Sequence, residues 1–325
     1  MAPKPSAAIF ALLISVSTVH AVDKTDFLDG PIQSCADVGC PPRQSGLGVE
    51  CRITNKTYAM VGVSDIPGTT GLKWLETADV RDTDRRHFIR DFYLGTDPGF
   101  NISSTRACAL FFANVSSNVE FKPDEISGSQ SVAQGTCAQA LSEQCVSRML
   151  ERAKGVNVQG ISTDAACAKL RTAFEEDLDD ECASFATGAS WVGIETAALS
   201  GLTAPQAITP QQNTSSNCWR IQPKSYDLTL VMTIDRIGNG LISTAEKHIF
   251  AITPILTVFF PSGNRTTVSA IQSDAQLTCM RVIDLDERSL ANMSPGVPES
   301  GASQRGLVSA SALLVGATSL LLSIM

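Results

Sequence analysis

Several short stretches of the chain are rich in aromatic and β-branched residues, and hydrophobic and polar positions alternate along 228–235. Both patterns predict β-strands. The predicted strands are 57–63, 88–94, 107–112, 118–121, 228–235, 255–260, 266–271 and 277–283. The stretch 255–260 is apolar at every position except Thr257, which predicts a strand in the middle of its sheet. The N-terminal and C-terminal segments together therefore predict an antiparallel, sandwich-like β-rich body.

The hydrophobic period lengthens in the middle of the chain. Apolar residues recur at every third or fourth position in 135–153 and again in 164–182, and each run predicts an amphipathic helix. Gly155 and Gly160 separate the two runs, so we expect two helices inserted at about 130–185. The predicted fold class is α+β, with a β-rich body and a two-helix insertion stapled by disulfides.

A further apolar stretch, 7–19, lies before the first predicted strand. It follows the basic residue Lys4, and small residues occur at Val19 and Ala21. A basic start, an apolar core and small residues at the cleavage site are the features of a secretory signal peptide. We therefore expect residues 1–21 to be removed on export.

The stretch 307–325 is also apolar, and it follows a run of small residues and a short polar spacer. This order is typical of a glycosylphosphatidylinositol (GPI) signal, in which the tail is cleaved and a lipid is attached at the small-residue site. We expect the lipid on Ser300, or on Gly301, and removal of the propeptide 301–325. A membrane-spanning helix is the alternative, and the serine and threonine residues of the tail count against it.

All ten cysteines fall in the remaining segment, 22–300, and an even number of cysteines in an exported chain predicts a disulfide framework. They are Cys35, Cys40, Cys51, Cys108, Cys137, Cys145, Cys167, Cys182, Cys218 and Cys279. If the helices pack antiparallel, the start of the first lies opposite the end of the second. The favoured pairs are then Cys137 with Cys182 and Cys145 with Cys167. Disulfides that tie the helices to the sheet are the alternative.

The same segment holds six Asn-x-Ser/Thr sequons, and each sequon that is used must lie on the surface. The acceptor asparagines are Asn55, Asn101, Asn114, Asn213, Asn264 and Asn292. Together with the cysteines, they predict that 22–300 is an extracellular, disulfide-bonded glycoprotein domain.

The charge balance limits the class of partner. The chain has 25 basic and 33 acidic residues, and loss of Lys4 and Arg305 with the two terminal segments leaves 23 against 33, a net charge of −10. An acidic surface repels nucleic acid, so no nucleic-acid partner is expected. The most acidic run, 175–181, is interpreted as a solvated face of the second helix in preference to a weak calcium site.

Few residues are available for catalysis. Only His87 and His248 follow the predicted signal peptide, and neither belongs to a serine-hydrolase or zinc-binding motif. A glycoside hydrolase or transglycosidase acting on cell-wall polysaccharide would need two facing carboxylates and is the enzymatic alternative. We assign no catalytic, cofactor-binding or metal-binding residue, expect no cofactor, and favour a non-enzymatic role.

Several short motifs are scattered over the predicted domain: Cys35-x4-Cys40-Pro41, Phe92-Tyr93-Leu94-Gly95, Gly135-Thr136-Cys137, Asn217-Cys218-Trp219 and Ile252-Thr253-Pro254. In these motifs the chain resembles a group of secreted, often GPI-anchored proteins of filamentous fungi that have no established function. The resemblance implies a fungal protein on the outer face of the plasma membrane or in the cell wall, and it implies no catalytic residue.

The expected function is a structural or binding role at the cell surface. The membrane would be reached through the GPI lipid, with cell-wall polysaccharide or other surface proteins as partners. A small-ligand or lipid binder that uses a groove around the two helices is a further alternative.

Overall fold

The computed structural model describes residues 32–35, 37–38, 40, 49, 51–58, 60–97, 100, 102, 105–122, 133–216, 227–238, 247–260 and 274–283. The strands are β1 Cys51–Ile53, β2 Lys56–Tyr58, β3 Val61–Asp65, β4 Leu72–Asp82, β5 Arg86–Thr96, β6 Arg106–Phe112, β7 Ile194–Ala198, β8 Asp227–Gly238, β9 Thr253–Phe260 and β10 Asp274–Met280. The helices are α1 Cys137–Leu141, α2 Glu143–Gly155, α3 Thr163–Glu175 and α4 Pro210–Ser215, with a 3-10 turn at Asp180–Cys182. The predicted α+β class with a β-rich antiparallel body is confirmed.

Eight strands form two four-stranded antiparallel sheets, and β1 and β2 form a separate hairpin. Sheet 1 has the order β3-β4-β5-β8, and sheet 2 has the order β10-β9-β6-β7. Every residue of β9 is buried and the strand lies inside its sheet, as its apolar pattern predicted. The strands β7 and β8 are edge strands of different sheets.

The two sheets pack face to face around an aromatic core, as in a β-sandwich. The Trp74 ring of sheet 1 lies 5.4 Å from the Phe111 ring of sheet 2, and the Phe92 ring lies 5.3 Å from that of Phe111. The Trp74 indole N–H donates a hydrogen bond across the core to Thr257 Oγ1 at 3.1 Å. A wholly buried indole thus keeps a hydrogen-bond partner.

Helices α1–α3 cover the other face of sheet 2 and form a second apolar layer. Phe174 of α3 packs edge-on against Phe112 of β6, with ring centroids 5.4 Å apart. The first predicted helix is divided in two at Ser142, whose φ of 67° breaks the helical path. The Ser142 hydroxyl caps α2 by accepting a hydrogen bond from the backbone N–H of Cys145. This bond satisfies an N–H group that has no acceptor within the helix.

The second predicted helix ends earlier than the sequence pattern indicated. Helix α3 stops at Glu175, and the acidic residues that follow form a loop and the 3-10 turn rather than a helical face. Carboxylates in the last turn of a helix oppose its dipole. The acidic run is therefore more favourable outside α3, where it reaches arginines of α2.

Several strand predictions need correction. The stretch 118–121 is not a strand, although Val119 and Phe121 are buried under the helices. The stretch 57–63 is divided, because β2 ends at Tyr58 and β3 begins at Val61. The strands β4 and β7 were missed, since β4 buries polar residues and β7 is short and poor in large apolar side chains. The stretch 266–271 lies outside the described residues.

A β-bulge alters the simple alternation predicted for β8. The register between β5 and β8 shifts at Phe92 and Tyr93, so Val231 has no partner residue on β5. Val231 is buried in the core between the sheets, whereas Leu230 is exposed. A bulge inserts one residue and re-aims the neighbouring side chains. None of the helices in the described part of the chain combines the length and apolarity needed to cross a membrane.

Candidate functional site

Two of the predicted glycosylation sites have described side chains, and both are exposed. Asn55 lies in the turn of the β1–β2 hairpin, and Asn114 follows β6 and donates a hydrogen bond to Thr187 Oγ1 at 3.3 Å. Exposed positions in turns can carry a bulky glycan. For Asn213 only the backbone, in α4, is described. The residues outside the described part are Asn101, Asn264, Asn292, Ser300 and Gly301.

Four disulfides join described cysteines: Cys40–Cys51, Cys108–Cys167, Cys137–Cys279 and Cys145–Cys182. Both favoured pairs, Cys137 with Cys182 and Cys145 with Cys167, are therefore wrong. The alternative, that the cysteines of the helices are bonded to the sheet, is correct for Cys108–Cys167 and Cys137–Cys279.

The wrong pairs came from treating the two helices as a hairpin packed on itself. Helix α3 packs on β6 and β7, and α1 packs on β10, which brings Cys167 and Cys137 to strand cysteines. Because α3 ends at Glu175, the chain turns back toward α2 before Cys182. Cys182 consequently meets Cys145, part-way along the first helical segment.

The three N-terminal cysteines lie close together. The Sγ atoms of Cys35, Cys40 and Cys51 are all within 4.8 Å of one another, and the disulfide between two of them removes their sulfur atoms from metal binding. Ser216 Oγ accepts a hydrogen bond at 2.9 Å from the backbone N–H of the residue after β1, so the chain reaches this cluster two residues before Cys218. Cys218 lies outside the described residues.

Arginines of α2 bind the acidic run 175–181. Arg152 donates to the carboxylates of Asp177 and Asp179, at 2.9 Å in each case, and to the backbone oxygen of Asp177 at 2.7 Å. Arg148 donates to Glu181 at 3.2 Å. Within the described residues, these carboxylates do not form a group of three with ligand atoms close enough to share a metal ion. The run thus neutralises arginines and fixes the loop after α3.

A buried charge cluster joins β4, β5 and the residue that follows β10. Glu76 has no exposed surface, Arg90 is 3% exposed and Arg281 is 1% exposed. Arg90 Nη1 donates to Glu76 Oε1 at 3.3 Å and to the Ala251 carbonyl at 2.6 Å. Burial raises the pKa of Glu76 to about 7, although the two arginine charges oppose that effect. A carboxyl sealed from solvent in this way has no access to a substrate.

A second polar cluster fixes the β1–β2 hairpin on the outer face of sheet 1. Asp91 accepts hydrogen bonds from Thr233 Oγ1 at 2.6 Å, Lys56 Nζ at 3.2 Å and the Tyr58 hydroxyl at 3.3 Å. Burial raises the pKa of Tyr58, and burial raises the pKa of Tyr93 to about 12. Both oxygens of Asp91 are occupied by protein donors, so this carboxylate is placed for structure rather than for acid or base catalysis.

Neither of the two histidines considered for catalysis contacts a nucleophilic side chain among the described residues. His87 Nδ1 lies 2.9 Å from Asp235, and His248 stacks on Phe88 with ring centroids 5.3 Å apart. Burial lowers the pKa of His248, and the nearby charge of Arg90 adds to the effect. In the described part of the chain, no hydroxyl or thiol is hydrogen-bonded to either histidine, whereas a Ser-His-Asp site requires one.

A cleft of about 290 Å³ opens at one edge of the sandwich, between β8 and the segment that follows β7. Its floor consists of core side chains that are at most 9% exposed: Leu94, Leu199 and Val231. The remaining described lining residues are Thr96, Phe100, Ile102, Ser200, Gly201, Ala204, Pro205, Gln206, Ala207 and Thr229. None of these residues is charged.

Sequence reasoning missed this cleft entirely. No predicted strand, helix or site residue falls in 199–207, and the cleft is assembled from β5, β8, that segment and residues near 100. The only local signal was apolar Ala197, Ala198 and Leu199 in a stretch otherwise rich in small polar residues. Three apolar residues do not predict a strand edge, let alone a site.

The chain matches no protein-family model, no curated protein and no solved structure. Its function therefore has to be inferred from its own residues and geometry.

Proposed function

We propose that this protein is an extracellular glycoprotein that a GPI lipid holds at the cell surface, where it has a structural or binding role rather than an enzymatic one. The disulfide framework is the observation that carries the proposal. It includes Cys137–Cys279, which joins residues 142 positions apart and ties α1 to β10. Crosslinks of this kind persist in oxidising compartments and are rare in the cytosol.

The residue patterns at 1–21 and 300–325 support the same location, because a GPI signal functions only in a chain that enters the secretory pathway. The exposure of Asn55 and Asn114 supports glycosylation. The resemblance to secreted fungal proteins and the acidic surface favour cell-wall polysaccharide or surface proteins as partners over nucleic acid.

The polar clusters support a non-enzymatic role. Asp91 uses both oxygens to hold the β1–β2 hairpin, Glu76 is sealed in the core, and His87 and Asp235 pair with each other. Catalytic groups have to reach a bound substrate. Each of these groups is instead committed to a contact within the protein.

The test is to treat native membranes with phosphatidylinositol-specific phospholipase and to measure the mass of the released protein. We expect release into the aqueous phase, a mass that lacks 1–21 and 301–325, and a further decrease after enzymatic removal of N-glycans. A variant with bulky residues at 300–302 should not be released, whereas Ser303→Ala should behave as the unmodified protein does. Native material that retains 307–325, or that resists the lipase while a known GPI protein is released, would refute the anchor.

A further inference from the structure

We propose that the cleft at the edge of the sandwich binds a compact, uncharged and mainly apolar molecule that carries one hydroxyl or carbonyl oxygen. This goes beyond the proposed surface role, and it depends on the cleft alone and not on the GPI anchor.

The floor of the cleft is formed by almost fully buried side chains of the hydrophobic core. Leu94, Leu199 and Val231 belong to the same apolar cluster as Trp74 and Phe111 between the sheets, yet they also line the cleft. Water against this floor finds no polar partner among these three side chains, whereas the walls of the cleft carry polar groups. An apolar ligand that displaces this water removes apolar surface from solvent, which is favourable roughly in proportion to the area covered.

The opening has a structural cause. The strands β8 and β7 are edge strands of different sheets, so no strand ladder joins the sheets there. The bulge in β8 leaves Val231 unpaired and buried toward the core, while Leu230 is exposed. Bulges recur near binding sites because they re-aim side chains and end regular pairing. Strand residues thus form part of the cleft, and the irregular segment 199–207 forms one wall. That segment is fixed to β8 by a hydrogen bond from the Ile208 backbone N–H to the Leu228 carbonyl at 2.8 Å.

Ser200 supplies a directed polar contact. The residue is 4% exposed, and its Oγ accepts a hydrogen bond from the backbone N–H of Ala107 at 3.1 Å. A serine hydroxyl also has one proton to donate, and this proton is available to an oxygen atom of a ligand on the cleft floor. Thr229 and Gln206 add polar groups nearer the mouth.

The lining also selects against charge and against sugars. A charged ligand would lose hydration without meeting an opposite charge among the described lining residues. A sugar needs many hydrogen bonds and commonly stacks on aromatic rings, and the described lining offers one aromatic side chain, Phe100. A ligand with an apolar body and a single oxygen atom matches the floor and Ser200 better than a charged molecule or a sugar does.

The volume sets the size of the ligand. A volume of about 290 Å³ lies at the lower end of the roughly 300 to 1,000 Å³ of small-molecule sites, so the ligand is small. A monocyclic alcohol or ketone with a short alkyl substituent, such as menthol, is of this size. A ligand this small gives a dissociation constant on the order of 0.1 mM. Leu202, which is fully exposed beside the lining residue Gly201, adds apolar surface near the mouth.

The experiment is isothermal titration of the purified, glycosylated protein with menthol, octanoate and methyl glucoside. Ala204→Phe fills the cleft from its wall, and Ala183→Phe makes the same change at an exposed position elsewhere. We expect menthol to bind the unmodified protein and the Ala183 variant equally well, and to bind the Ala204 variant at least tenfold more weakly. We expect no measurable binding of octanoate or methyl glucoside.

Equal binding of menthol to the Ala204 variant and the unmodified protein would overturn the proposal, as would no binding to the folded unmodified protein. Stronger binding of methyl glucoside than of menthol would assign the cleft to a sugar instead. If Ala204→Phe fails to fold, Ala207→Phe, at an exposed lining residue, replaces it with the same expectation. Release by the lipase is measured separately, so failure of the ligand site and failure of the anchor are distinguishable.

Discussion

Replacing Glu76 by glutamine should remove a loss of stability that occurs as the pH rises toward about 7. Glu76 is fully buried on β4 beside Arg90 and Arg281. Burial disfavours the charged carboxylate more strongly than the two guanidinium groups favour it, so the pKa of Glu76 is raised from 4.5 to about 7. Glutamine has nearly the same shape and does not titrate, so Glu76→Gln removes the ionisation and largely keeps the packing.

The magnitude follows from the linkage between proton binding and folding. Between pH 4.5 and about pH 7 the folded state keeps the proton of Glu76 while the unfolded chain loses it. The free energy of unfolding therefore falls as the pH rises through this window. The window spans about 2.5 pH units, which corresponds to about 3 kcal/mol at about 1.36 kcal/mol per unit. The contribution is fully present below pH 4.5 and lost above about pH 7.

The assay is urea unfolding with the disulfides intact, from about pH 4.5 to about pH 7.5. Burial lowers the pKa of His248, so the folded state binds fewer protons at that residue and stability rises with pH up to about pH 6.5. This slope is opposite in sign to that of Glu76. Both proteins contain His248, so the difference between the unmodified protein and Glu76→Gln isolates the glutamate.

We expect the two stability curves to converge by about 3 kcal/mol, or to cross, as the pH rises through the window. Glu195→Gln, at an exposed position on β7, should leave the slope unchanged. Parallel curves for the unmodified protein and Glu76→Gln would show that the carboxyl does not gain its proton on folding. The reasoning that burial outweighs the two arginines would then be wrong.

Three further predictions concern stability and covalent structure. Arg152→Ala should lower the free energy of unfolding by about 1 to 3 kcal/mol, because several charged hydrogen bonds to the loop after α3 are lost. The control Arg148→Ala, at a half-exposed side chain, should lower it by less than about 0.5 kcal/mol. Equal losses for the two variants in urea unfolding would contradict this prediction. A peptide map under non-reducing conditions should find Cys35 bonded to Cys218, and a map that pairs either with another residue would contradict it. Asp91→Asn should destabilise the protein by about 1 to 3 kcal/mol, since the donors Thr233 and Lys56 lose a charged acceptor, and an unchanged urea midpoint would refute the proposed role of this cluster.

Local patterns in the sequence determined much of the secondary structure. The mainly apolar run of β9, the apolar and aromatic residues of β6 and the helical period of α2 are all local patterns, contained within single elements. Such patterns indicate which face of an element avoids water. Where the pattern was strong, the predicted element is present. They failed at β4, because Glu76 and Thr77 are polar and yet buried, and burial of a polar residue is decided by a partner elsewhere in the chain.

Tertiary structure alone decided the pairing of the cysteines, the end of α3 and the cleft. Cys167 is bonded to Cys108 because α3 lies on sheet 2, and no local spacing contains that information. The acidic run leaves the helix because Arg152 of α2 is there to bind it. The cleft combines Leu94, Leu199 and Val231, which are far apart in the sequence. Periodicity records the preference of one segment for water or for the core, whereas a crosslink, an ion pair or a cavity depends on which distant segments come together.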